Sequence, residues 1–380
     1  MRQSIAFIGL LAFTACLVSG CHKADPGTAN VPSGDKTHDA GVLNLFWWSD
    51  FMAPDTIPNF EKQTGIKVSI SYYDSEEILE TRMLTGNSGF DVVVPAAPYF
   101  FQRQTRSGAY LALDKSKLPN LANLDPAIMA RVASVDPDNA HGIVYMWGTV
   151  GIGYNKEKVA RALPNLPLTS WRVVFDPANA SKLAKCGIQI LDSPAEVVLL
   201  VLRYLGKDAN SRSPQDLADV ERVLMAIRPY IRNVDSTGYI EAIANGDICA
   251  AVGYNGDFVQ ARRRANEAKN GVQVVYALPE EGSVVYFNML AIPRDAPHAA
   301  NAHLFLNYLI KPDVIAEISN LVGYANANLA ATPLLDPTIA NDTASYPTLA
   351  QRERLFVQTE STPDQARAIT RLWQKFKTGQ

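Results

Sequence analysis

Hydrophobic and polar positions over residues 42–94 switch between the strand period and the helix period. Residues 42–47 form an apolar run and residues 66–72 alternate, both strand patterns. Between them residues 54–64 place Ile57 and Phe60 on one side of a helix, with Gly65 as its stop. Pro58 falls near the first turn, where a missing N–H is tolerated. A second helix carries Ile78, Leu79 and Met83 and ends near Gly86; Asp74 is its expected cap and Glu77 stands at the capping-box position. Residues 90–94 are a short continuous apolar run closed by Pro95, the pattern of a buried parallel strand. Strand–helix–strand–helix–strand within about 50 residues predicts an α/β fold.

The later chain repeats the theme. Residues 187–191, 248–253, 272–278 and 284–292 read as strands. Residues 196–205, 239–245, 257–269, 302–310 and 313–321 read as helices. At the C-terminus Thr362, Pro363 and Gln365 are expected to be a cap, a first-turn proline and a capping-box partner. Ile369, Leu372, Trp373 and Phe376 then form the buried stripe of that helix. Gly151-Ile152-Gly153 lacks the third glycine of a dinucleotide fingerprint and reads as close backbone packing or a crossover.

Composition narrows the function. The 380 residues carry 35 Lys+Arg against 38 Asp+Glu, so no basic excess argues for nucleic acid. Histidine is scarce, and no metal-ligand spacing, phosphate loop or nucleophile elbow occurs; neither a metal nor a cofactor is expected. Arg2 precedes an apolar stretch over residues 4–18, too short for a membrane span and typical of an export signal. Leu17 to Cys21 (LVSGC) resembles a bacterial lipobox, which implies a signal over residues 1–20 and a lipidated Cys21 as the mature N-terminus. Residues 21–41, rich in Gly, Pro, Ser, Asp and Thr, then read as a flexible tether. Export leaves Cys186 and Cys249 as the thiols of the body. A disulfide between them is expected in an oxidising compartment, the alternative being two separate buried thiols.

An ordered set of motifs is more specific than any of these. It comprises Trp48-Ser49-Asp50, Phe60 to Val68 (FEKQTGIKV), Gly89 to Pro95 (GFDVVVP), Gly151 to Asn155, Asn245 to Cys249 (NGDIC) and Tyr324 to Asn328 (YANAN). Together they resemble the polyamine-binding receptors of bacterial ABC importers, closest to the putrescine-binding type. The resemblance implies a two-lobed α/β periplasmic-binding-protein fold that closes over a solute, with no catalysis. It implies an N-terminal lobe over residues 42–147 and 279–325, a C-terminal lobe over 148–278 and 326–380, a periplasmic location, an ABC permease as partner and a monomer attached to the membrane through its lipid alone.

A polyamine is a methylene chain with ammonium groups, so its receptor needs carboxylates at the ends and aromatic faces between. Trp48, Ser49 and Asp50 follow the first strand at its C-terminal end, where α/β crevices bind ligands. By resemblance Trp48 stacks on the ligand, Ser49 hydrogen-bonds an amine and Asp50 contributes charge. The resemblance also assigns Glu196 and Asp257 as ammonium partners, Tyr254 and Tyr286 as aromatic stackers, Tyr324 as a hydroxyl contact and Ser236 as a weaker polar one. Glu196 and Asp257 also suit the N-terminal ends of helices without any ligand. Four positions depart from the putrescine-type pattern: Asn288 replaces an aspartate, Ala96 a serine, Tyr254 a tryptophan and Phe51 a tyrosine. Loss of a charge at Asn288 leaves open weaker diamine binding, a solute with one fewer positive group, a different orientation or a tolerated substitution; separately, the same fold suits a sensory protein reporting an amine to a membrane partner.

Overall fold

The computed structural model describes residues 41–380 other than Asp50, Asp74 and Thr237. The expected signal, Cys21, nearly all of the tether and Asp50 lie outside the described residues. Among the described residues no helix is long and apolar enough to cross a membrane.

Twelve strands form one mixed sheet, with helices packed around it. They are β1 (Val42–Trp48), β2 (Lys67–Tyr73), β3 (Val92–Val93), β4 (Ala96–Ala97), β5 (Gly142–Asn155), β6 (Ile188–Ile190), β7 (Asn233–Val234), β8 (Ala250–Tyr254), β9 (Val274–Ala277), β10 (Ser283–Ala291), β11 (Ala325–Asn326) and β12 (Leu355–Phe356). The main path runs β2-β1-β3-β10-β5-β8-β6-β7. β1 pairs in parallel with β2 and β3, as the alternating strand and helix periods predict.

β5 organises the rest. All of its residues are buried, and a strand covered on both faces needs no polar alternation. From Gly142 to Thr149 it pairs antiparallel with β10. From Val150 to Tyr154 it pairs with β8, and from Ile152 to Asn155 with β9. The strand therefore changes neighbours between Thr149 and Val150. Beyond that switch a Cβ at Gly151 would fall 2.5 Å from the Tyr276 ring, and one at Gly153 1.9 Å from the Phe258 ring. The two glycines serve close packing at a crossover, as their sequence context implies.

Each half of the sheet has its own aromatic core. On the β1 side Trp47 is fully buried and meets Tyr145 and Phe305 edge-on, and Phe60 packs on Phe305 at 4.9 Å. On the β8 side the C-terminal helix Pro363–Thr378 buries Ile369, Leu372, Trp373 and Phe376, the stripe expected from spacing. Thr362 Oγ1 caps it by accepting from Gln365 N at 3.2 Å. Gln365, expected to return the bond to the cap, instead donates from Nε2 to Ser211 O at 3.0 Å. The helix Glu76–Thr85 is capped by Ser75, whose Oγ accepts from Ile78 N, rather than by Asp74. The start is thus one residue later than expected. Cys186 and Cys249 form a disulfide.

Candidate functional site

Two local constructions bring the carboxylates of Asp257 and Glu196 together with tyrosine hydroxyls. The first lies where β8 ends and the helix Asn255–Ala268 begins. Tyr239 and Tyr324 both donate to the Asp257 carboxylate, Tyr324 at 2.9 Å. Glycines make room for both rings: a Cβ at Gly253 would fall 2.5 Å from Tyr239, and one at Gly256 2.2 Å from Tyr324. The Tyr239 oxygen also accepts from Tyr254 N at 3.1 Å, which ties this network to the end of β8. Burial raises the Asp257 carboxyl to about 6, against the opposing pull of its two tyrosine donors and Arg264.

The second lies at the start of the helix Pro194–Tyr204. Glu196 accepts from the Tyr254 hydroxyl at 2.8 Å. Burial pushes its carboxyl up, and the bonds from Tyr254 and Ser193 offset part of that rise. Tyr254 meets Tyr286 edge to face with ring centres 5.2 Å apart. The Tyr286 hydroxyl points on toward Asn255 Oδ1 at 3.4 Å. Tyrosine side chains therefore run between two carboxylates that are costly to ionise: Glu196 to Tyr254 by a hydroxyl, Tyr254 to Tyr286 by their rings, Tyr286 to Tyr324 by their hydroxyls and Tyr324 to Asp257.

A cavity of about 380 Å³ opens beside this series. Its walls include Glu196, Tyr254 and Tyr286, together with Glu76 and Ala96 from the β1 side. A larger cavity of about 480 Å³ lies by Arg106, Arg212 and Glu360, but Arg106 and Glu360 pair with each other there. The first cavity is the better candidate: Asp192 in its wall pairs with Lys377, but among the described residues no basic side chain is bridged to Glu76 or Glu196 there.

The other residues expected at the site are distributed as follows. Asn288 is 8% exposed and lies in β10 opposite Ala96 of β4, one residue pair behind the cavity wall that Ala96 forms. Phe51 packs edge-on against Tyr324 at 5.6 Å. Trp48 is half-buried at the end of β1; its ring lies 4.5 Å from Tyr73 and its Nε1 donates to Val94 O at 3.1 Å. Ser49 beside it is exposed. Ser236 is half-buried in the bend before the helix Gly238–Ala244. Of the expected site residues, Glu196, Tyr254 and Tyr286 line the cavity; Trp48, Ser49, Ser236, Asp257, Asn288 and Tyr324 are not among its walls, and Asp50 is not described.

Glu76 was not anticipated. It is buried on the same helix face as Leu79 and Met83, three and seven residues on. An acid in register with an apolar stripe is a signal readable from the sequence. Expecting the cap at Asp74 drew attention to Glu77 instead.

The halves of the sheet joined at β5, with a cavity walled by acidic, tyrosine and apolar side chains beside them, define a two-lobed solute-binding protein of the periplasmic-binding-protein fold. More particularly, the chain belongs to the bacterial extracellular solute-binding proteins, whose family model matches residues 56–348. It is 46% identical over 342 residues to a putrescine-binding periplasmic protein of Pseudomonas aeruginosa, covering 90% of this chain and 93% of that one. It is also 46% identical over 351 residues to the putrescine-binding periplasmic protein of Escherichia coli, covering 92% and 95%. Among solved structures it resembles a spermidine/putrescine ABC transporter substrate-binding protein of Streptococcus pneumoniae, with TM-score 0.77, 26% identity, and 89% and 99% of the two chains covered. A Treponema pallidum lipoprotein aligns with TM-score 0.76 and 25% identity over 89% and 99%. The chain is thus a binding protein and not an enzyme.

Proposed function

We propose that this protein captures a short polyamine of the putrescine kind and delivers it to an ABC importer in the periplasm. The observation that carries this reading is the series Glu196–Tyr254–Tyr286–Tyr324–Asp257. Desolvated carboxylates favour an incoming ammonium, and tyrosine faces suit the methylenes between two such groups. The names of the two relatives at 46% identity support the choice of ligand. Trp48, Ser49, Asp50, Ser236 and Asn288 complete the proposed contact set. Lobe closure over the ligand adds contacts that favour the closed state.

The proposed lobes are residues 42–147 with 279–325, and 148–278 with 326–380. The change of partners along β5 at Thr149 and Val150 supports the first crossing. Attachment through lipidated Cys21 rests on the sequence around that residue and on the likeness to a lipoprotein. The protein then acts as a tethered monomer opposite its permease.

Titration calorimetry on ligand-stripped protein from residue 22 onward tests the ligand, using putrescine, cadaverine, spermidine and agmatine. Saturable one-to-one binding of at least one is the expected result. No heat with any of them, from folded protein, overturns the polyamine assignment and leaves the receptor fold standing.

A further inference from the structure

We infer that Glu76 is a further ligand carboxylate beside Glu196, Asp257 and Asp50, placed on the opposite lobe from Glu196 and Asp257 and supplying the charge that Asn288 lacks. The inference rests on the amine-receptor reading and adds a specificity-determining residue to it.

Glu76 is the first residue of the helix Glu76–Thr85 and is only 9% exposed. Its Oε1 accepts from Ala96 N at 2.8 Å, whereas Oε2 is buried with no protein partner. Ala96 is the register partner of Asn288 in the β4–β10 pair. The carboxyl of Glu76 is therefore fastened to the strand position that faces Asn288. The same residue lines the cavity walled by Glu196, Tyr254 and Tyr286.

Among the described residues nothing around Glu76 neutralises a charge on it. Glu77 and Glu80 lie on its own helix, Tyr73 on β2, and Tyr110 beyond. Arg103, on the neighbouring helix Tyr99–Arg106, is paired with Glu80 and lies over the Tyr99 and Phe100 rings. Burial, opposed by the bond from Ala96 N and reinforced by Glu77 and Glu80, pushes the Glu76 carboxyl well above the usual range and so favours its protonated form. An ammonium entering the cavity reverses the balance. The proton leaves for bulk water, and a carboxylate–ammonium pair replaces the unpartnered oxygen. If Glu76 served only to hold Ala96, a glutamine would do so equally well, because its carbonyl accepts the same bond.

The test is calorimetry with putrescine on wild type, Glu76→Gln, and Glu76→Gln with Asn288→Asp, each in two buffers of different protonation enthalpy. Ligand-free melting is recorded alongside. The expected result is that Glu76→Gln melts no lower than wild type, binds putrescine on the order of tenfold or more weakly, and releases fewer protons on binding. Adding Asn288→Asp to it should restore most of the affinity, since the charge returns one strand away. Wild-type affinity and proton release in Glu76→Gln would overturn the inference and leave Glu76 as a brace. If Glu76→Gln does not fold, Asn288→Asp alone decides: little gain in affinity supports a carboxylate already in place, and a gain of about tenfold or more overturns it. Failure of wild type to bind any polyamine would instead sink the amine-receptor reading itself.

Discussion

Tyr254 and Tyr286 meet edge to face with centres 5.2 Å apart, although they stand on strands that never pair with each other. Tyr286 lies opposite Gly148 and Tyr254 opposite Val150, on either side of the point where β5 changes partners. The contact thus spans the two lobes at their shared strand. Tyr286→Ala removes one aromatic face from the ligand and one wall of the cavity. Amine affinity should fall about 3- to 30-fold, corresponding to roughly 0.5–2 kcal/mol, by calorimetry. Unchanged affinity would place the methylenes elsewhere.

Asp257 should trade stability for binding. Burial raises its carboxyl to about 6 in the folded protein from an ordinary value of 3.8. The folded state therefore holds this proton more tightly than the unfolded state. The associated stability is fully present below the ordinary value and is lost as pH rises through about 6. Asp257→Asn should accordingly stabilise the ligand-free protein at neutral pH by about 1–3 kcal/mol, with the gain fading in acid. The same change should weaken amine binding. Denaturant unfolding at several pH values, followed by calorimetry, checks both halves.

Gly256 is a site residue with no side chain of its own. Alanine there would drive a methyl into the Tyr324 ring, 2.2 Å from its nearest atom. Gly256→Ala should displace Tyr324 from Asp257 and weaken ligand binding by more than Tyr324→Phe, which deletes only the hydroxyl. Equal effects in the two variants would mean that the ring position is immaterial.

The disulfide should matter for stability and not for affinity. Cys186 and Cys249 stand just before β6 and β8, 63 residues apart in sequence. Tyr254 stands at the opposite end of β8, and Glu196 beyond the opposite end of β6, which pairs with it in parallel. Replacing both cysteines with serine should cost about 2–4 kcal/mol in denaturant unfolding and leave the amine affinity within about twofold, because the ligand end of the strands keeps its pairing.

Much of this was legible in the chain. The buried Trp47 beside a half-buried Trp48, the glycines at 151 and 153, and the C-terminal apolar stripe all follow from period and spacing. β5 was not recognised as one strand, since a run buried on both faces carries no alternation to read. The helix Pro214–Ile227 was passed over even though Val220, Leu224 and Ile227 make its stripe. Tyr239 escaped notice for a different reason. Its bond to Asp257 depends on a glycine 14 residues away leaving room for its ring, a tertiary fact with no local signature.

Because one strand carries both register partners of the tyrosine pair, the cleft behaves as a pair of calipers with its pivot inside the backbone. A twist of β5 would change the gap between the two halves of the sheet and the tyrosine contact together. A diamine that is too short or too long would meet the same aromatic faces at a different opening. Chain length would then be gauged by an angle rather than by a pocket of fixed depth, and ligands differing by one methylene should be separated by how far the lobes close as well as by how tightly they bind.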